Sequence, residues 1–313
     1  MAVFTDAQVR PSFDQKWDLQ VLQARYGRAS IGKNVLNRSA LVEESGEVVN
    51  ITVKPRVTGG TVGTDGGFTS ETFSLTNVQI NVNTWRYVSH EITDKQSQQA
   101  IITLETELPK QFGDKLQEFA EIDLADLFLS LSGFSGVVGI GIGAPGGGIQ
   151  FDEDSALLAM QATRRRQLPT EMLSWQLPTE AFYQGWLKKE RLTSAYATGE
   201  NKSLITTGIY GFKQMILGVP AFESTLLNGA STVDVDSGAI IHAPSGINLA
   251  GTTCGALLHE ESMGYAFQIN AKTKRAEMTA ANRLATTIVC NSLYGVRIVR
   301  PSHGVPIFIA NGT

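Results

Sequence analysis

Two runs of alternating apolar and polar residues, separated by a glycine-rich stretch, constrain this chain more than any other feature. Residues 48–57 read VVNITVKPRV, with Val49, Ile51 and Val53 spaced by polar neighbours. Residues 72–89 repeat the pattern, with Val78, Ile80 and Val82 alternating with Asn77, Gln79, Asn81 and Asn83. Strand side chains point alternately to two faces, so a period of two predicts a half-buried strand in each run. Between them lies TGGTVGTDGGFTS. There Gly59, Gly60, Gly63, Gly66 and Gly67 predict a flexible tip, and Asp65-Gly66 a tight turn. The whole reads as one long β-hairpin. An isolated hairpin is marginal in water, so this one is expected to need a partner surface.

The period then changes. Thr93 with Gln96 fits a helix-capping box. Ile101, Leu104, Leu108, Phe112, Leu116 and Phe119 step by three or four, the stripe of an amphipathic helix. Pro109 lacks a backbone N–H, so a kink or restart is expected there, with a second piece from about Pro109 to Leu131, roughly 35 Å long at ~1.5 Å per residue. From Glu91 to Asp126 there are nine acidic residues against three lysines, a net charge of −6. Ahead of the hairpin, residues 1–42 are weakly periodic and carry +3. Trp17, Val21 and Ala24 permit a short helix there.

Beyond the long helix, residues 133–148 are glycine-rich and uncharged. Asp152 can cap a helix running to about Gln167, before Pro169. A short strand at Leu173–Leu177, a helix at Glu180–Leu192 and a strand-and-turn region from Ile205 to Leu258 follow. Residues 276–286 suit a short helix or the approach to a strand. The end, SLYGVRIVRPSHGVPIFIA, reads as two strands split by Pro301 to Gly304.

The chain's 313 residues suffice for one large domain or two lobes. A net charge of −4 argues against a dedicated nucleic-acid binder, which usually carries a basic surplus. No apolar run approaches the ~20 residues of a membrane span, and the start shows no signal-peptide pattern. Cys254 and Cys290, read as reduced core thiols, and the four scattered histidines have no metal-ligand spacing. His259-Glu260-Glu261-Ser262-Met263 begins like a zinc-protease motif but has Met263 where a second histidine is needed. Gly141, Gly143 and Gly146 match a dinucleotide-binding spacing, yet Pro145 and the glycines after it disfavour the helix that such a site requires. Arg164-Arg165-Arg166 reads as a solvated helix end, with an inter-subunit or nucleic-acid contact as the alternative. Trp85, Trp175 and Trp186 read as core. No nucleophile, base and oxyanion site come together. No catalytic, cofactor-binding or metal residue is assigned, and no cofactor.

The order of parts, an arm, a long hairpin, a long acidic helix and a mixed body ending in strands, resembles the tailed-bacteriophage major capsid protein family, with its Hong Kong 97-like fold. YVSHEITDKQSQQ (Tyr87 to Gln99) is similar to that family's exit from its extended loop. LSWQLPTEAFYQGWL (Leu173 to Leu187), GIYGFKQMILGVPAFEST (Gly208 to Thr225) and SLYGVRIVRPSHGVPI (Ser292 to Ile307) resemble its later phrases. The resemblance implies an α+β fold: an N-terminal arm at 1–42, an extended β-hairpin loop at 43–92, a peripheral domain with the spine helix at 93–135 and 275–313, and an apical domain at 136–274.

The implied function is self-assembly into the pentamers and hexamers of an icosahedral head shell around double-stranded DNA. The shell would be put together in the host bacterial cytoplasm and end in the virion. Implied partners are other copies of the chain, a portal, separate scaffolding or decoration proteins, and DNA by weak non-specific contact, with no membrane. Lys54, Arg56, Gly59, Gly60, Gly63, Asp65, Gly66, Gly67 and Phe68 are the candidate inter-subunit contacts. The alternatives are an encapsulin-type compartment shell and a nucleotide-cofactor enzyme using Gly141 to Gly146.

Overall fold

The computed structural model describes residues 16–25, 29–42, 46–53, 60–62, 64, 67, 75–93, 104–132, 142–143, 148–179, 181, 214–227, 232–233, 240–241, 252–277 and 285–310. In chain order the strands are β1 (Leu36–Asn37), β2 (Val48–Val53), β3 (Thr76–Asn81), β4 (Thr84–Thr93), β5 (Leu173–Leu177), β6 (Gln214–Ile216), β7 (Val219–Glu223), β8 (Thr232–Val233), β9 (Ile240–Ile241), β10 (Thr252–His259), β11 (Met263–Glu277), β12 (Ala285–Ile298) and β13 (Gly304–Ala310). Helices occupy residues 16–25, Leu104–Asp126 and Glu153–Arg165.

The two alternating runs pair as the antiparallel hairpin β2–β3, Val49 opposite Ile80 and Ile51 opposite Val78. The second run is not one strand. It breaks at Val82–Asn83, and the chain leaves the hairpin to become β4, which pairs antiparallel with β12 over ten residues. The four-stranded sheet has the order β1-β11-β12-β4. On β12, Ile288, Cys290, Ser292 and Tyr294 alternate inward beneath the long helix. Leu108, Phe112 and Leu116 of that helix pack with Ile288, Cys290, Trp17 and Val21. The opposite face of the sheet carries the hairpin base: Val49, Ile51, Ile80 and Val82 pack with Val42, Ala266 and Val299. The partner surface expected for the hairpin is thus supplied, at its base, by the same chain. The approach is tight: a Cβ on Gly295 would lie 2.0 Å from Asn81 O.

The five-stranded sheet, β13-β10-β5-β7-β6, is antiparallel except for the β5–β7 pair. Strand parity divides it between two cores. Cys254, Ala256, Leu258 and Phe308 face Leu124, Phe128 and Leu131 at the end of the long helix. Leu173, Trp175, Leu177, Leu257, Val305, Ile307 and Ile309 face the other way, toward Ala156, Ala159 and Ala162 of the third helix. That helix starts where the sequence predicts. Asp152 accepts from the Ser155 N–H at 3.0 Å, while Ser155 Oγ accepts from the Asp152 N–H at 2.8 Å. It ends at Arg165, short of the expected Gln167.

The long helix is described over Leu104–Asp126, with residues 94–103 ahead of it outside the described residues, and it ends before the expected Leu131. Pro109 lies inside it rather than at a restart, and its missing N–H removes one intrahelical hydrogen bond. Leu127–Ser130 continue as a 3-10 turn. The strand at Leu173–Leu177 and the final pair split by Pro301–His303 stand as expected. The Asp65-Gly66 turn, the Thr93–Gln96 cap and the helix expected at Glu180–Leu192 lie outside the described residues, apart from Thr93 and Ala181. So does most of 133–148 and of 276–286.

Candidate functional site

Among the candidate contacts, Gly60 and Gly67 are described, and both are exposed. A Cβ on Gly60 would meet nothing within 4 Å, so its side faces open space. Val62 beside it is 66% exposed. Lys54, Arg56, Gly59, Gly63, Asp65, Gly66 and Phe68 lie outside the described residues.

Next to the hairpin base the sheet presents two large aromatics. Trp85 and Tyr87 on β4 are 68% and 67% exposed. Trp85 was expected in the core, and parity explains the difference. Val88 and Ile92 pack against the core beneath the long helix. Trp85 and Tyr87, opposite Leu293 and Asn291 of β12, share the other face and lie beyond the hairpin's cover. Trp175 is core as expected. The signal was the odd–even split of 84–93, set by which face the helix covers.

The N-terminal segment belongs to the body over its described part. Trp17 and Val21 are buried, and the Trp17 and Phe112 rings meet edge to face at 6.4 Å. A Cβ on Gly113 would come within 2.5 Å of Val21 O. Arg25 is buried and hydrogen-bonds to Asn270 O and, at 3.3 Å, to Ser292 Oγ, with its guanidinium 4.5 Å from the Phe267 ring centroid. Arg25 Nε donates to Gln117 Oε1 at 3.4 Å, and Gln117 Nε2 donates to Glu121 Oε1 at 2.9 Å. Glu121, buried on the long helix, also accepts the Ile31 and Gly32 N–H groups at 2.7 and 3.0 Å. Burial pushes its carboxyl above the usual range, and the four N–H donors of Gly32, Ile31, Gln117 and Ser30 pull against that.

These contacts change the expected charge picture. Arg25 is spent in the core, so one of the arm's six cations is withdrawn from any partner. The acidic helix is no open negative face either. Glu121 is inside, Glu118 pairs with Lys115 at 2.8 Å, Glu107 with Lys110 at 3.3 Å, and Asp123 accepts from Tyr294 Oη at 2.5 Å beside Arg86 at 3.5 Å.

Gly143 of the glycine motif has φ +80, and a Cβ there would lie 2.6 Å from Phe308 O. Its backbone approach is to β13, which Ile142 and Ile149 also bridge. The following helix begins ten residues on, at Glu153. That is not the strand–turn–helix of a dinucleotide site. Arg166 of the arginine run hydrogen-bonds to Ser302 O.

His259, Glu261 and His303, which no spacing rule joins, come together where two turns meet. One ligand atom of each lies within 4.8 Å of the others. Burial, Arg300 and His259 push His303 down to about 4. Burial lowers His259 as well, with Glu261 opposing. None of the described helices is long and apolar enough to cross a membrane.

No family model matches the chain, and no curated protein matches it. Solved structures do. The chain is similar to a structure of Mycobacterium phage Che8 with a TM-score of 0.64 and 18% identity, covering 90% of this chain and 91% of that one. The capsid asymmetric unit of cyanophage Pam1 gives 0.64 and 14%, covering 88% of each. A virus-like particle from Pyrococcus furiosus gives 0.56 and 9%, covering 94% of this chain and 99% of that one. Likeness over nine-tenths of both chains at such low identity is likeness of fold. The chain has the mixed α+β fold that these structures share, as its order of parts implies.

Proposed function

We propose that the chain is the major capsid protein of a tailed bacteriophage, self-assembling into the pentamers and hexamers of an icosahedral head around double-stranded DNA. The observation that carries this reading is the whole-length match to phage capsid structures, 88–91% of each chain for Che8 and Pam1. The work of such a protein is geometric, with many modest interfaces repeated over a closed shell. In this reading the hairpin beyond its anchored base, from Lys54 to Phe68, reaches a neighbouring subunit, and Trp85 and Tyr87 offer apolar contact beside it. Portal, scaffolding or decoration proteins would be its other partners, and the virion its destination. The domain division drawn from the sequence belongs to the same proposal.

Electron microscopy of purified protein tests it. Closed shells are expected, and deleting Gly59 to Gly67 should leave folded subunits but few shells. Material that never closes would overturn the reading. The likeness to a virus-like particle from Pyrococcus furiosus favours a second reading, an encapsulin-type compartment shell. Shells loaded with protein and free of DNA would favour it. Because the chain carries a net charge of −4 and Arg25 is buried, unassembled subunits should bind duplex DNA weakly, with affinity falling steeply as salt rises. Tight binding that survives high salt would count against a capsid role.

A further inference from the structure

The described chain passes between its two larger sheets three times, and two of these passages, β10 to β11 and β12 to β13, are short turns that meet at one point. β10 ends at His259, and the 3-10 turn Glu260–Ser262 leads into β11. β12 ends at Ile298, and the turn Pro301–His303 leads into β13. The turns are tied through the backbone, since the Val299 and Arg300 N–H groups both donate to Ser262 O, at 3.0 and 3.1 Å. At this joint His259, Glu261 and His303 each place a ligand-capable atom within 4.8 Å of the others. His259 is 3% exposed, and its Nε2 has no hydrogen-bond partner among the described residues. The buried Nδ1 of His303 likewise has none, standing 4.0 Å from Glu261 Oε2. Buried polar atoms are ordinarily satisfied, so two unsatisfied imidazole nitrogens beside a carboxylate call for a missing partner.

We propose that His259, Glu261 and His303 form a binding site for a first-row divalent transition-metal ion of the zinc class, which clasps these two crossovers between the sheets. Two imidazole nitrogens and one carboxylate oxygen are the donor set that such ions prefer, whereas magnesium and calcium favour all-oxygen sites. Ligand bonds of about 2 Å require the three atoms to draw closer than they stand, a side-chain adjustment within one joint. His259 Nδ1 now accepts the Glu261 N–H at 3.2 Å. Ligation through Nε2 moves the ring proton to Nδ1 and so exchanges that long hydrogen bond for a metal bond. Arg300 Nη1 sits 3.2 Å from Glu261 Oε2. It holds the carboxylate in place, leaves the second oxygen, and opposes a dication by its charge. The site is therefore one of moderate affinity, held back by a neighbouring cation.

The test uses the full-length protein, stripped with chelator and titrated with zinc by calorimetry, with a thermal melt in parallel. One saturable zinc equivalent and a raised melting temperature are expected, with no response to magnesium. Cobalt on the unaltered protein should give visible absorption bands that zinc abolishes. His303→Asn and Glu261→Gln should each weaken zinc binding at least about tenfold. Arg300→Gln should tighten it, a gain that a purely structural cluster does not predict. His90→Asn, on exposed β4, should change nothing. The proposal fails if no zinc-dependent heat or cobalt spectrum is found. It also fails if binding persists undiminished in His303→Asn, since the ion then sits elsewhere.

Discussion

Gly113→Ala sets two forces against each other, and the structure decides the sign. Gly113 lies well inside the long helix Leu104–Asp126. On helix propensity alone, alanine there should stabilise by about 1 kcal/mol. The facing helix forbids it. The new Cβ would lie 2.5 Å from Val21 O and 2.7 Å from Ala24 Cβ. Both are backbone or backbone-borne atoms that no rotamer change can move. Forcing a methyl into such a contact costs about 1–3 kcal/mol, and contact with backbone belongs at the upper end. Shedding the 16–25 helix instead would expose Trp17 and Val21, now 2% and 0% exposed, at roughly 1.5–3 kcal/mol each. Wedging is therefore the cheaper response, and the net loss should be about 2 kcal/mol. Urea unfolding of the purified protein should show a lower midpoint with an unchanged slope, and amide exchange over 16–25 should quicken. Adding Ala24→Gly should restore part of the loss, because the Val21 carbonyl contact remains. A Gly113→Ala protein more stable than the parent would refute the reasoning.

Glu121→Ala should cost about 3 kcal/mol, since the buried Ile31 and Gly32 N–H groups lose their acceptor at ~1–3 kcal/mol each, partly offset by removing a buried carboxyl. Glu121→Gln keeps one acceptor oxygen and should cost less; exchange at residues 29–34 reads both, and an Ala variant within about 0.5 kcal/mol of the parent would sink the assignment. Burial pushes the Cys254 thiol from 9.0 up to about 12, so native protein at pH 8 should resist alkylation at Cys254 until it is unfolded. The unfolded thiol loses its proton first, so this group's contribution to stability should decline as pH rises above 9; prompt native labelling of Cys254 would contradict its burial.

Local periodicity was enough to place several elements. The strand alternation at Val49–Val53 and Val78–Val82, the Asp152 cap, the strand at Leu173–Leu177 and the two closing strands all depend on neighbours a few residues away. The apolar stripe of the long helix was legible for the same reason, but not that the helix runs through Pro109, where packing of Leu108, Phe112 and Leu116 outweighs one lost hydrogen bond. β11, Met263–Glu277, left no clean signal. Its pairing with β12 shifts register between Phe267 and Lys272, so its side-chain parity changes midway.

What only the tertiary structure decided depends on which faces meet. The sequence by itself determined that residues 84–93 carry apolar groups at both parities; the long helix covers Val88 and Ile92 and leaves Trp85 and Tyr87 outside. It determined that the arm is basic and the helix acidic, but burial of Arg25 and Glu121 on one hydrogen-bonded path removes both charges from the surface. His259 and His303 stand 44 residues apart, joined because two crossovers between sheets pass through one point. Periodicity is a property of consecutive residues, and so can be read along the chain. Cover, pairing and convergence are set by residues distant in sequence, and exist only once the chain has closed on itself.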